Sequence, residues 1–327
     1  MRKLVLLIGA MLACLAGGCR GAQALPEGDW AVINTSSVFM RETASYTSEN
    51  VSQSRMGTPV QVLERTGYWV KIRTPEPYEG WVNELTLAPY PAAYTALDRY
   101  ICITENSFVY AEASLDAARL SDLKMSDIIR ARKVNQSAEE WTAVQLWDGR
   151  EGWVPAAHLA DFAAWMEGAG RLAAKAAQTG SAGSGIAAAQ IAGDLVCTAR
   201  LYLGAPYLWG GMSAGLFDCS GLVGFCYFMA GIQLPRDASQ QINCGTPVEF
   251  SDMQAGDLVF FGEKRVSHVA LCTGPGRIIH SSQIVRENSL IEGEPDYYGR
   301  NILGIRRMIG TLPEKNLIRN SALYFGK

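Results

Sequence analysis

The sequence predicts an α+β domain preceded by two small all-β barrels, and three observations carry that prediction. The first is an internal repeat. Tyr68-Trp69-Val70-Lys71-Ile72 leads to Glu79-Gly80-Trp81-Val82, and Glu140-Trp141-Thr142-Ala143-Val144 leads to Glu151-Gly152-Trp153-Val154. Both tryptophans, and Leu87 at Leu159, recur 72 residues on. Short alternating strands separated by turn residues are the pattern of small barrels, placed at 28–90 and 97–160. The second observation is an Ala-rich, helix-prone run from Phe162 to Gln178, followed by the Gly/Ser stretch Thr179 to Gly185. Helix and linker together fill 161–185. Third, from residue 186 to 327 helical patterns come first and apolar strands follow from Leu258, which is the order of an α+β domain.

The chain has 327 residues, room for two or three domains, and a formal charge of −3. With no basic patch, nucleic acid is excluded as a partner. Residues 1–24 read as a signal peptide: Arg2-Lys3, an apolar run from Leu4 to Leu15, then small residues. The run is too short for a comfortable membrane span. Leu15-Ala16-Gly17-Gly18-Cys19 has the form of a lipoprotein signal with cleavage before Cys19, and this is the favoured reading. Ala22-Gln23-Ala24 offers an ordinary cleavage site instead. Either way the protein is exported, with membrane contact only through a lipid on Cys19.

Eight cysteines are present, Cys14 and Cys19 among them in the signal region. The other six are Cys102, Cys197, Cys219, Cys226, Cys244 and Cys272. An even count in an exported protein hints at disulfides. Most of the six sit in apolar runs, however, which favours buried free thiols. No C-x-x-C spacing occurs, so neither zinc nor any other cofactor is expected.

Ile186 to Leu203 reads as a helix closed by Gly204, with Pro206 beyond. A second helix is signalled after Asp218. The run from Gly221 to Ala230 is apolar and Gly231 ends it. Asp218 is a suitable N-cap, which puts Cys219 in the first turn, where the helix dipole favours a thiolate. Thr273-Gly274-Pro275-Gly276 then reads as the turn of a β-hairpin. Folding the chain about Gly274 sets His268 opposite His280, because each lies six residues away. Cross-strand partners touch. One imidazole can therefore serve the thiol while the other orients it. Cys219, His268 and His280 are the candidate catalytic residues. His158 is read as a surface residue without a role, and Asp257 as a structural turn residue.

In order along the chain stand Gly204-Ala205-Pro206-Tyr207-Leu208-Trp209-Gly210-Gly211, Asp218-Cys219-Ser220-Gly221-Leu222, Leu234-Pro235-Arg236-Asp237, Ala255-Gly256-Asp257-Leu258-Val259-Phe260-Phe261, Ser267-His268-Val269 and Ile279-His280. In that order they resemble the NlpC-type cysteine peptidases of bacterial cell-wall metabolism, over residues 186–327. The repeats resemble bacterial Src-homology-3-type barrels. The resemblance implies a papain-like fold and cleavage of the bond between γ-D-glutamate and a diamino acid in peptidoglycan (murein) stem peptides. The arrangement of the export signal implies a bacterium, read as Gram-negative, with the protein in the periplasm or on the outer membrane as a lipoprotein.

The resemblance further implies roles for individual residues. Tyr207 stands beside the reacting carbonyl, with Trp209 on the same loop. Asp218 and Ser220 contact substrate or simply cap the helix, and Asp237 either binds substrate or caps the helix that follows it. Relatives often carry a serine where this chain has Ala238, which puts that contact in doubt. In relatives of this layout an acid and a tyrosine of the first barrel bind the free amine of an N-terminal L-alanine. Tyr78 stands where the tyrosine would be. Glu49 is the chosen acid and Glu42 its rival. Two other readings stay open: an acyl transferase on the same Cys-His core, and a non-catalytic wall-binding protein.

Overall fold

The computed structural model describes residues 30–91, 93–132, 140–178, 182–312 and 317–319. The signal region with Cys14 and Cys19, and Thr179 to Ser181 of the expected linker, lie outside the described residues.

Two seven-stranded sheets come first. The first holds β1 (Trp30–Ile33), β2 (Val38–Arg41), β3 (Asn50–Ser54), β4 (Pro59–Thr66), β5 (Trp69–Arg73), β6 (Glu79–Asn83) and β7 (Leu87–Pro89). The second holds β8 (Arg99–Cys102), β9 (Asn106–Tyr110), β10 (Arg119–Lys124), β11 (Ile128–Ala131), β12 (Trp141–Gln145), β13 (Glu151–Pro155) and β14 (Leu159–Asp161). Their strand orders are β3-β2-β6-β5-β4-β1-β7 and β10-β9-β13-β12-β11-β8-β14, one topology used twice.

The repeated Gly-Trp-Val string has a packing reason. A Cβ on Gly80 would come within 2.8 Å of Met40 Cβ, and one on Gly152 within 2.6 Å of Tyr110 O. Only glycine lets these strands approach so closely. Val82 and Val154, both fully buried, then point into their respective cores.

The two barrels are joined through Asp127, which is 1 % exposed. It accepts from Ser36 Oγ at 2.6 Å and Met56 N at 3.0 Å, both in the first barrel. Helix α1 (Phe162–Ala176), capped by Asp161 through Ala164 N at 2.8 Å, packs Phe162 and Met166 into the core of the second barrel. Helix α2 (Ala182–Arg200) starts earlier than the sequence predicts, taking in Ala182 to Gly185 of the expected linker. Ala187, Ile191 and Leu195, each buried, dock α2 on the core of the third unit. That burial outweighs the helix-weakening glycines of its first turn.

The third unit contains β15 (Met212–Ser213), β16 (Leu216–Phe217), α3 (Cys219–Met229), β17 (Ile232–Gln233), α4 (Ala238–Gln241), β18 (Thr246–Pro247), β19 (Leu258–Gly262), β20 (Val266–Gly274), β21 (Arg277–Ser282), β22 (Ile284–Ser289), β23 (Ile302–Arg307) and β24 (Ile318–Arg319). Its six-stranded sheet runs β18-β23-β19-β20-β21-β22, every pair antiparallel. On one face Leu258, Phe260, Val269, Leu271 and Ile279 meet the buried residues of α2 and α3. On the other, Val259, Phe261, Ala270, Cys272 and Ile278 form a second core. Helix α3 packs against β20 and β21.

The β20–β21 register departs from the expected one. Leu271 pairs with Ile279 and Gly274 with Arg277, with an irregularity between Cys272 and Gly274. The turn is therefore centred beyond Gly274, and His268 stands diagonal to His280 rather than directly opposite. The six cysteines Cys102, Cys197, Cys219, Cys226, Cys244 and Cys272 are free thiols. Asp257, 1 % exposed, is held by Arg307 at 2.8 Å and 2.9 Å. His158 is half-buried, with Nδ1 2.8 Å from Ser107 Oγ.

Candidate active site

Cys219 is the first residue of α3. The N-cap Asp218 accepts from Gly221 N at 2.6 Å. A Cβ on Gly221 would meet Gly211 O at 1.9 Å, so glycine lets the helix start press against the preceding loop. The sulfur lies by the backbone N–H groups of Val269 and Ser220, at the junction of the helix start with β20.

His268 and His280 stand on β20 and β21. His268 Nε2 is 2.7 Å from His280 Nδ1, and the Cys219 thiol lies by the backbone of Val269, the residue after His268. His280 Nε2 is 2.9 Å from Asn288 Oδ1 on β22. The Tyr298 ring packs against both imidazoles, with centroids 5.8 Å from His268 and 4.5 Å from His280.

Burial governs the charges. It pushes the Cys219 thiol up to about 11, with Asp218 adding to the effect, while Val269 N, Ser220 N and Arg236 pull the other way. It presses His268 down to about 3, assisted by His280, Arg300 and Arg286. His280 falls to about 4 by burial, opposed by its bond to Asn288. The resting site is thus neutral thiol and neutral imidazole. The thiolate expected from the helix dipole does not outweigh the loss of solvation.

The other wall is a seam with the first barrel. Arg236, 5 % exposed, donates to Asp218 Oδ2 at 2.6 Å and Oδ1 at 3.3 Å, to Ser220 Oγ at 2.9 Å and to Ser52 Oγ of β3 at 3.0 Å. Gln53 Oε1 accepts from Met212 N at 2.9 Å, Ser213 N at 3.2 Å and Ser213 Oγ at 2.8 Å. Asn50 Nδ2 donates to Trp209 O at 2.9 Å. The Tyr78 phenol faces the Asp237 carboxylate. Burial, and then the charge of Asp237, raises the Tyr78 pKa, and burial raises that of Asp237.

The sequence-predicted substrate residues therefore separate. Tyr207 is half-buried; burial and then the charge of Cys219 raise its phenol, which places it by the Cys219 thiol. Tyr78 and Asp237 meet across the seam. Trp209 is 60 % exposed, at the rim. Asp218 is corrected. Gly210 N at 3.0 Å, Gly221 N, Ser220 Oγ at 3.2 Å and two Arg236 donors occupy its oxygens, so it has no lone pair left for substrate. Ser220 is engaged in the same network. Glu49 is exposed, precedes β3, and its carboxylate makes no hydrogen bond or ion pair among the described residues. Glu42 is likewise exposed. The acid beside Tyr78 is Asp237.

Arg236 and Asn288 were not singled out from the sequence. The signal for Arg236 lay in the string Leu234-Pro235-Arg236-Asp237. A buried guanidinium must find a carboxylate, and the N-cap Asp218 was available.

Residues 204–307 match the NlpC/P60 family, and residues 36–88 match the bacterial SH3 domain. The chain thus carries an NlpC/P60 domain behind a bacterial SH3 domain. A γ-D-glutamyl-L-lysine dipeptidyl-peptidase of Bacillus cereus is 28 % identical over 291 residues, covering 84 % of this chain and 80 % of that protein. A Bacillus subtilis protein of the same name is 37 % identical over 118 residues, 35 % of this chain and 40 % of that protein. The crystal structure of an NlpC/P60 family protein from Bacillus cereus superimposes with a TM-score of 0.65 at 22 % identity. It covers 86 % of this chain and 100 % of that one, and shares its fold. The NlpC/P60 match contains Cys219, His268, His280, Arg236, Asp237 and Asn288. The SH3 match contains Ser52, Gln53 and Tyr78.

Proposed function

We propose that this NlpC/P60 protein is a cysteine peptidase that hydrolyses the γ-D-glutamyl–diamino acid bond of peptidoglycan stem peptides carrying a free N-terminal L-alanine. The observation that carries the reading is the contact of Tyr78 with Asp237. A barrel side chain meets an acid of the peptidase unit on the wall that also holds Arg236 and Asp218. A wall closed in this way suits a short released peptide. The Asp237 carboxylate offers a charged partner for an ammonium group in a partly desolvated place. The names of the Bacillus relatives support the same bond.

The chemistry follows from the pair. His268 takes the Cys219 proton as sulfur attacks the γ-carbonyl carbon of D-glutamate. Backbone N–H groups at the start of α3, with the Tyr207 phenol, face the developing oxyanion. His268 then gives its proton to the leaving amine of the diamino acid, which departs and leaves a thioester. Water, deprotonated by His268, attacks the thioester and releases L-Ala-γ-D-Glu and the thiol. The reading of residues 1–24 adds that the enzyme is exported, as a periplasmic protein or an outer-membrane lipoprotein.

Mass spectrometry of products from synthetic L-Ala-γ-D-Glu-diamino acid tripeptide tests the reading. The expected products are the dipeptide L-Ala-γ-D-Glu and the free diamino acid. No cleavage, or cleavage after L-alanine, overturns it. Added amine nucleophiles leave the products unchanged for a hydrolase and give an amide for an acyl transferase.

A further inference from the structure

We propose that Asn288 is a positioning residue that sets which nitrogen of each catalytic histidine carries the proton. This rests on the catalytic reading of Cys219 and His268 above. Asn288 Nδ2 donates to the backbone carbonyl of Asp296 at 2.6 Å. That carbonyl also accepts from Ser289 N at 3.2 Å. A carbonyl oxygen is only an acceptor, so the Asn288 amide has one possible orientation. Its Oδ1 therefore faces His280 Nε2 at 2.9 Å, and Oδ1 is an acceptor. His280 must carry its proton on Nε2.

In the neutral ring His280 Nδ1 is then a lone pair. It lies 2.7 Å from His268 Nε2, which must be the donor. The neutral His268 ring consequently has its lone pair on Nδ1, the nitrogen left for the Cys219 thiol. Each ring has one donor and one acceptor nitrogen, so one choice at Asn288 propagates through both. Reversing the amide would leave His280 Nε2 as an acceptor, put the His280 proton on Nδ1, and turn the lone pair of His268 toward His280. The thiol would then face an N–H and have no base.

The loop that holds this anchor is itself secured. Arg277 of β21 binds the Asp296 carboxylate at 2.9 Å and Glu294 at 3.2 Å. Tyr298 N donates to Ser289 O at 2.7 Å, and the Tyr298 ring covers both imidazoles. His280 is fully buried and Asn288 is 9 % exposed, so water competes little with the chain.

Two measurements test the proposal. The sequence has three histidines, so long-range 1H–15N spectra of the labelled wild-type chain can assign each tautomer. The expectation is Nε2–H on both His268 and His280 at neutral pH. Nδ1–H on either ring overturns the proposal without any variant having to fold. The second measurement is kinetic. Asn288→Ala should lower kcat by about ten- to a hundredfold with KM little changed. Asn288→Asp keeps an acceptor toward His280 Nε2–H and adds a negative charge that favours imidazolium. It should recover part of kcat while moving the acid limb of kcat/KM to higher pH. A purely structural asparagine would not move that limb. Rates within twofold of wild type for Asn288→Ala, or an unmoved acid limb for an active Asn288→Asp, overturn the proposal.

Discussion

His268 and His280 lie diagonally across the β20–β21 hairpin, two residues out of register, with Nε2 and Nδ1 2.7 Å apart. Diagonal neighbours on one face of an antiparallel pair are within reach of long side chains. The offset brings the edge of one ring onto the other, and their planes are inclined by 72°. One ring can then hold its neighbour while the neighbour's other nitrogen remains free for Cys219.

Cys219→Ala should abolish cleavage, with a loss of at least about 10⁴-fold, since removing a covalent nucleophile disables the whole unit. Its melting temperature should stay close to that of wild type. Product assays on the tripeptide check this, and residual activity within tenfold of wild type would contradict the assignment.

His268→Ala should match Cys219→Ala, and His280→Ala should be milder. A base and its nucleophile act together, whereas an orienting ring contributes part of the effect. Steady-state kinetics of the two variants decide the roles. A far worse His280→Ala would exchange base and orienter.

Both histidines should stay neutral well below the ordinary imidazole value of about 6.5. Burial is the leading cause, holding His268 near about 3 and His280 near about 4. The sign follows from the lowered values. The unfolded chain binds these two protons first as pH falls below about 6.5, so the folded state loses stability from there down toward 3–4. NMR of the imidazole C2–H signals checks the titration, and a midpoint near 6.5 for either ring would refute it.

Arg236→Met should destabilise the protein by about 3–5 kcal/mol, because it leaves the buried Asp218 carboxylate without its cation. It should also loosen the first barrel, since Arg236 is the group that joins Asp218 to Ser52. Calorimetry checks the first effect. Limited proteolysis of the seam, with faster cutting expected near β3, checks the second.

Much of this was legible in the chain. Asp218-Cys219 before an apolar run dictates a capped helix with the thiol in its first turn, and the spacing of the tryptophans dictates a repeated barrel. What was hidden depended on burial and on irregular backbone. The turn sits on Pro275-Gly276, with Gly274 paired to Arg277, which moves the histidines from opposite to diagonal; the bulge between Cys272 and Gly274 then keeps them on one face, and no residue type announces it. Asp218 suits both a cap and a substrate contact, and only the arrival of Arg236 from the next loop exhausts its lone pairs. An ammonium needs a carboxylate, which within the first barrel points to Glu49; the carboxylate that stands beside Tyr78 is Asp237, a residue far from it in sequence. The thiol's raised pKa follows from how deeply the helix start is buried, which a string of residues does not state.

Tyr78→Phe should weaken cleavage of the free tripeptide by about tenfold, the worth of one hydrogen bond to a charged group. Asp237→Asn should weaken it by up to about a hundredfold, since it removes the charge that faces the ammonium. Neither should change much for a substrate whose alanine amine is already blocked. Kinetics of both variants on free and blocked peptides check this, and equal losses on both substrates would contradict it.

The central claim is that the first barrel closes the cleft so that only a free α-ammonium is accepted. The most direct test compares wild-type kcat/KM on L-Ala-γ-D-Glu-diamino acid with that on the same tripeptide acetylated at the alanine amine. Acetylation should lower kcat/KM by about ten- to a hundredfold or more. Equal rates would contradict it and mean that the cleft is open at the barrel end.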